Sequence, residues 1–273
     1  MPSFRYPVGI QFDILRRPFD KLRERLRGRF LSVDLNGSKG LSNGAALVIN
    51  SGLPYLFRKN SGEETMPEII FWDVDTQYDF IMPDGKLYIR EAEKILPNLE
   101  RLTACARQRN IPIFGSVDFH NPDDPEISDS PDFLDTFPPH CLKDTPGQRK
   151  VKETRPVNPL WIDGGAEDTA ELGERVRNHT GEVIFRKQRF DVFTNRNVEP
   201  VLNAVRPGRI VLYGVALDVC NAYAIDGFLK RNTAPVQLVL DATQAIFPER
   251  GETLVEGWKA RGVTVVSTDE ITG

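Results

Sequence analysis

The chain has 273 residues, 40% hydrophobic and 27% charged, with a formal net charge of -4. That length suits one large domain or two small ones, with a core big enough to fold without disulfide or metal staples. The three cysteines, Cys105, Cys141 and Cys220, cannot all pair, which excludes a disulfide scaffold and points to a reducing, cytoplasmic setting. No apolar run reaches the roughly 20 residues of a transmembrane helix.

Charge is unevenly divided. Residues 1–65 hold 11 Lys+Arg against 6 Asp+Glu, which leaves 24 against 33 for residues 66–273. A basic leader therefore precedes an acidic body. Within the leader, Leu22, Leu26 and Phe30 recur every four residues along the cationic run from Arg16 to Arg29. Such a stripe would suit an anionic membrane or nucleic acid; the plainer reading is a solvated or disordered extension. No compact apolar core follows the first basic residues, against a secretory signal, and Asp13, Asp20 and Glu24 argue against an acid-poor transit peptide. Met66 offers an internal start, which would make the leader a mis-assigned extension. Nothing in it looks catalytic, and no nucleic-acid partner is expected.

From Pro67 onward, short apolar runs alternate with helical stretches. The predicted strands are Ile69–Asp73, Pro112–Val117, Val183–Arg186, Ile210–Tyr213, Val236–Leu240 and Val263–Ser267. They are nearly continuous in apolar and β-branched residues, as strands buried on both faces should be. Helices are predicted over 90–109, 167–178, 197–205, 218–231 and 249–261, with Gly262 placed as a C-terminal cap. The alternation predicts one α/β domain over 66–273, three-layered α/β/α with a central, mostly parallel six-stranded sheet. The polar stretch 118–165 reads as a functional loop region.

Ligands of an open parallel sheet bind beyond the carboxyl ends of its strands. Asp75 follows the first predicted strand, Asp118 and His120 the second, Lys187 the third, and Cys220 comes soon after the fourth, where a helix begins. Backbone N–H groups at that helix start would favour a thiolate and could receive an oxyanion. A carboxylate beside the thiol could take its proton and pass it to a leaving amine. Lys187 would hold that carboxylate and favour the thiolate. Each residue has a plainer alternative, since Cys220 could be a buried structural cysteine, Asp75 a turn cap and Lys187 a solvated charge. Their shared edge is what argues for chemistry.

Three motifs, DTQYDF at 75–80, FRKQRFDVF at 185–193 and GVALDVC at 214–220, resemble those of the isochorismatase-like cysteine hydrolase superfamily, nicotinamidases in particular. The resemblance covers about residues 67–268 and implies a catalytic triad of Asp75, Lys187 and Cys220. It also implies a cis peptide at Val215–Ala216 and an oxyanion hole from the N–H groups of Ala216 and Cys220.

The stretch 116–141 contains two of the three histidines in the chain. Asp118 and His120 lie two apart in an extended segment and so face one side, and His140 can fold back onto them. A carboxylate and two imidazoles suit one divalent ion: zinc, iron or manganese. The alternative is solvated polar residues. This stretch is similar to the nicotinamidase metal loop, which implies Asp118, His120 and His140 as ligands. Many nicotinamidases have another His between them; here Pro125–Glu126 stands near that point, with Glu126 the natural substitute. The resemblance further implies that Phe80 and Phe137 sandwich a pyridine ring, although both could be ordinary core aromatics. Cys105 and Cys141 read as structural, and His179 as an exposed residue at a helix end.

The expected substrate is a small amide. Nicotinamide would be cleaved to nicotinate and ammonia through a thioester on Cys220, as in NAD salvage. A related activity on another amide or an N-carbamoyl compound is the alternative, favoured by the departure at 121–126. A non-catalytic body tethered by the basic leader ranks third. The oligomeric state is left open, a homo-oligomer included.

Overall fold

The computed structural model describes residues 66–132 and 136–273. The leader stripe at 16–30 and the proposed division at 65 concern residues that lie outside these. The described residues divide into a main α/β unit, 66–124 and Pro139–Gly273, and a segment Pro125–Pro138. In that segment the Phe137 N–H donates to the Glu126 carbonyl (2.7 Å) and the Ser128 N–H to the Phe137 carbonyl (2.9 Å).

The main unit is built on β1 (Ile70–Val74), β2 (Ile113–Asp118), β3 (Leu160–Ile162), β4 (Val183–Lys187), β5 (Ile210–Val215), β6 (Val236–Gln244) and β7 (Thr264–Val266). They form one sheet in the order β3-β4-β2-β1-β5-β6-β7, and every pairing is parallel. Six strands were expected. The seventh, β3, lies inside the predicted loop region; three residues with only Ile162 fully buried carry too little pattern to register as a strand.

Helices are α1 (Tyr78–Ile81), α2 (Leu96–Gln108), α3 (Thr169–Asn178), α4 (Val198–Val205), α5 (Cys220–Arg231), α6 (Pro248–Lys259) and α7 (Thr268–Thr272). The α/β class is as expected. The predicted helix over 90–109 begins instead with a 3-10 turn at Ala92–Ile95. Gly262, just past α6, adopts a positive φ of 93°, as a helix-ending glycine should. Among the described residues no helix is long and apolar enough to cross a membrane.

All residues of β1, β2 and β5 are buried, which explains their near-continuous apolar sequences. Trp72 is the hub: its ring stacks on Phe114 and Phe185 and meets Phe228 of α5 edge-on at 4.9 Å between centroids. The sheet order reverses direction between β1 and β5. Gly214 sits at that junction with φ 113°, and a Cβ there would collide with the Val74 carbonyl. The reversal point is where a parallel sheet opens a crevice beyond its carboxyl edge.

Candidate active site and metal centre

Four adjacent strands, β4, β2, β1 and β5, bring their carboxyl ends to that crevice. β1 stops at Val74, and Asp75 turns the chain with a positive φ of 47°. Its N–H donates to the Ser116 carbonyl (3.2 Å), and the Ser116 hydroxyl donates to Asp75 Oδ1 (2.8 Å). β2 and β4 end in register, with Asp118 beside Lys187.

Lys187 joins the predicted residues. Its Nζ lies 2.9 Å from Asp75 Oδ2, bonds Asp118 Oδ1 and donates toward Cys220 Sγ at 3.7 Å. All four residues are buried. Burial alone would drive the ammonium toward neutrality, but the Asp118 and Asp75 carboxylates outweigh it and hold the Lys187 pKa well above its ordinary value. Burial likewise works against the Asp118 carboxylate, yet Lys187, His140 and His120 hold it well below the usual range. The Cys220 thiol is pushed well up, first by burial; Lys187 opposes this, and the two carboxylates add to it. A neutral thiol beside a cation and a carboxylate is the resulting resting arrangement.

After β5 the Val215–Ala216 peptide is cis, as the motif resemblance implied. Val219 and Asn221 N–H both donate to the Ala216 carbonyl, and Leu217 N–H to Gln244. The Asp218 carboxylate accepts from Ile246 (2.9 Å) and Phe247 (3.1 Å), and the Asn221 amide donates to Gly214 O (3.1 Å). These bonds fix the turn that presents Cys220 as the first residue of α5.

Sequence reasoning missed several supports. The Gln77 amide donates to the carbonyls of Asp118 (2.8 Å) and Gln148 (2.6 Å) and accepts from Asp118 N–H (2.7 Å). Lys150 reaches the buried Asp73 carboxylate at 3.0 Å and donates to Thr76 Oγ1 (3.2 Å), tying the chain after His140 to β1. Burial raises the Asp73 carboxyl pKa even against Lys150. The Asp79 carboxylate accepts from Cys141 N–H (2.7 Å) and Lys86 N–H (3.0 Å). The DTQYD run signals a strand end; it does not show where each polar side chain goes.

Asp118, His120 and His140 form a buried group whose ligand-competent atoms lie within 4.8 Å of one another. The Nε2 atoms of His120 and His140 face Asp118 Oδ2 at 4.0 and 3.8 Å. Both ring nitrogens of His120 are buried without a hydrogen bond, and burial lowers its pKa, keeping the imidazole neutral and free to coordinate. Two imidazoles and a carboxylate in this state fit a divalent cation such as zinc. The Phe80 ring on α1 lies 5.7 Å from that of His140. Glu126 and Phe137 are buried and belong to the segment Pro125–Pro138.

The remaining candidates fall outside this group. Cys105 lies buried on α2, Cys141 is buried, and all three cysteines are free thiols. His179 follows α3 but is half-buried, and its Nε2 lies 2.7 Å from the Asn158 carbonyl, so it is held rather than solvated.

Residues 70–270 match the isochorismatase domain, and the chain belongs to that family. The parallel sheet with helices on its faces agrees with that family. The chain is 20% identical over 182 residues to N-carbamoylsarcosine amidase from Arthrobacter sp, covering 66% of this chain and 60% of that protein. It thus spans about three fifths of that relative's length. Among solved structures, a nicotinamidase/pyrazinamidase from Bacillus subtilis is 19% identical with a TM-score of 0.58, over 73% of this chain and 100% of that one. A pyrazinamidase from Pyrococcus horikoshii in complex with zinc is 25% identical with a TM-score of 0.57, over 74% and 99%.

Proposed function

We propose that this protein is a metal-dependent cysteine amidohydrolase of the cytoplasm that converts nicotinamide to nicotinate and ammonia, a step of NAD salvage. The observation that carries the reading is the Lys187 ammonium, which touches the Cys220 thiol and two carboxylates, one of them part of the group fitted to a cation. The likeness to a zinc-bound pyrazinamidase supports it.

In this reading Asp75 takes the Cys220 proton as Sγ bonds the carboxamide carbon, and Lys187 stabilises the charge left behind. The N–H groups of Ala216 and Cys220 receive the oxyanion. The carbon–nitrogen bond then breaks while Asp75 returns the proton to the departing ammonia. Water cleaves the thioester, releasing nicotinate and restoring the thiol. Asp118, His120 and His140 would hold the cation, which when bound supplies Lewis acidity and lowers the pKa of water. Phe80, whose ring lies beside that of His140, would line one side of the pyridine ring.

A second reading, hydrolysis of another small amide or an N-carbamoyl compound, is supported by the likeness to N-carbamoylsarcosine amidase. Ammonia release from nicotinamide, benzamide and N-carbamoylsarcosine by the full chain separates the two. The expected result is the highest kcat/KM on nicotinamide. Turnover of N-carbamoylsarcosine with none of nicotinamide would overturn the assignment in favour of the second reading.

A further inference from the structure

Three groups in the loop after β2 decide how His120 can bind a metal. The His120 backbone is pinned to the neighbouring chain, its N–H donating to Cys141 O (3.2 Å) and its carbonyl accepting from Lys143 N–H (2.8 Å). Those bonds place the ring but leave its rotation free. Nε2 faces Asp118 Oδ2, across the cluster that also holds His140. Nδ1, on the opposite side, faces Asp124 Oδ2 at 3.4 Å, and Asp124 is mostly buried, with 18% of its side chain exposed.

Asp124 is itself held in place. Its N–H donates to the Asn121 carbonyl (3.1 Å), and its Oδ2 accepts from Asn121 N–H (2.9 Å). The turn 121–124 therefore returns a carboxylate to the back of the imidazole four residues earlier. A neutral imidazole carries one ring proton, and its ligand atom is the nitrogen without it. A carboxylate behind Nδ1 draws the proton there and exposes the Nε2 lone pair to the cluster, while fixing the ring plane.

We propose that Asp124 is the positioning residue of the metal centre, holding His120 as the Nδ1–H tautomer with Nε2 directed at the ion. The proposal rests on the metal-dependent reading above. In the sequence the same turn appeared only as a departure, NPDDPE, from the expected pattern. The departure supplies its own orienting carboxylate, two residues before Glu126 in the chain.

The test is the zinc dissociation constant of the full chain, measured by competition with a chromophoric chelator, for the wild type, Asp124→Ala and Asp124→Asn. Losing such an orienting partner weakens metal binding by about 10–100-fold, and Asp124→Ala is expected to fall in that range. Asparagine can keep an amide oxygen facing Nδ1 and can still cap Asn121 N–H, so Asp124→Asn should recover most of the loss. Melting temperature of the metal-free variants, read alongside, identifies a merely loop-closing role. A lowered melting temperature with unchanged zinc affinity overturns the proposal. So does Asp124→Asn binding as weakly as Asp124→Ala with a ligand missing from the cobalt-substituted absorption spectrum, since Asp124 would then be a direct ligand. Wild-type protein that takes up no zinc would overturn the metal-dependent reading as well; equal affinity in all three overturns this one alone.

Discussion

Replacing Lys187 by Met tests the centre of the site. Met nearly conserves the side-chain length and removes the charge, leaving Asp75 and Asp118 buried, at 0% and 2% exposure, without their shared cation. Breaking a buried ion pair from one side costs about 3–5 kcal/mol. For a domain of this size each kcal/mol moves the melting temperature by about 2–4 °C, so a drop of roughly 6–20 °C is expected at pH 7.5 in a chelating buffer. The pH dependence sharpens the test. In the wild type the Asp118 carboxyl is held well below its ordinary value, so its stabilisation is present above the unfolded pKa of about 3.9 and lost only as pH falls below it.

In the variant the sign reverses. With the cation gone, burial dominates at Asp118 and its carboxyl pKa rises above the unfolded value. Stability is then greatest below pH 4 and is lost as pH climbs toward the raised value. The gap between wild type and variant should therefore shrink by more than half between pH 7.5 and 4.5. Thermal melts followed by circular dichroism read both quantities. A loss under about 2 °C at pH 7.5, or the same loss at both pH values, would refute the reasoning that Lys187 neutralises two buried carboxylates.

Two further substitutions probe the parts separately. Cys220→Ala removes a small, buried side chain and should leave the melting temperature within a few degrees while lowering ammonia release by about 10⁴-fold or more, as for other lost nucleophiles; turnover near the wild-type rate would show that the thiol is not the attacking group. His140→Ala should weaken zinc binding by more than about 100-fold, beyond the effect of a partner outside the ligand set, and an unchanged zinc content by elemental analysis would remove the cluster as a metal site.

What could be read from the sequence follows from which interactions are local. IFWDV and IVLYGV announced β1 and β5 because strands buried on both faces cannot hide their apolar runs. The end of the β1 run located Asp75, the end of the β4 run VIFRK located Lys187, and the strand-to-helix turn after β5 located Cys220. β3 and α1, at three and four residues, are shorter than one period of reliable pattern, and tertiary packing alone decides them. The supports of the site are just as distant in sequence: Ser116 lies 41 residues from Asp75 and Lys150 lies 77 from Asp73. Asp118 could be read as a ligand from its spacing to His120. Its bond to Lys187 could not, because that depends on the register of β2 against β4, which no local motif encodes.

The order of strands also explains why the thiol edge and the Asp118, His120 and His140 cluster form one unit. Moving across β4, β2, β1 and β5, the sheet presents Lys187, Asp118, Asp75 and then Cys220, with neighbouring strands about 4.8 Å apart. A cation starting on β4 must pass two strands to approach a thiol beyond β5. Lysine, a point charge on a long flexible stem, can do this while bonding the carboxylate of each strand it passes. Asp118 stands between, offering Oδ1 to the ammonium and Oδ2 to the two imidazoles. Any cation held by His120 and His140 therefore shares a carboxylate with the group that contacts the thiol. Moving the histidine cluster elsewhere on the fold would leave Lys187 with an unequal set of partners, and moving Lys187 would leave Asp118 buried without its lysine. The thiol edge and the histidine cluster are coupled by sheet topology.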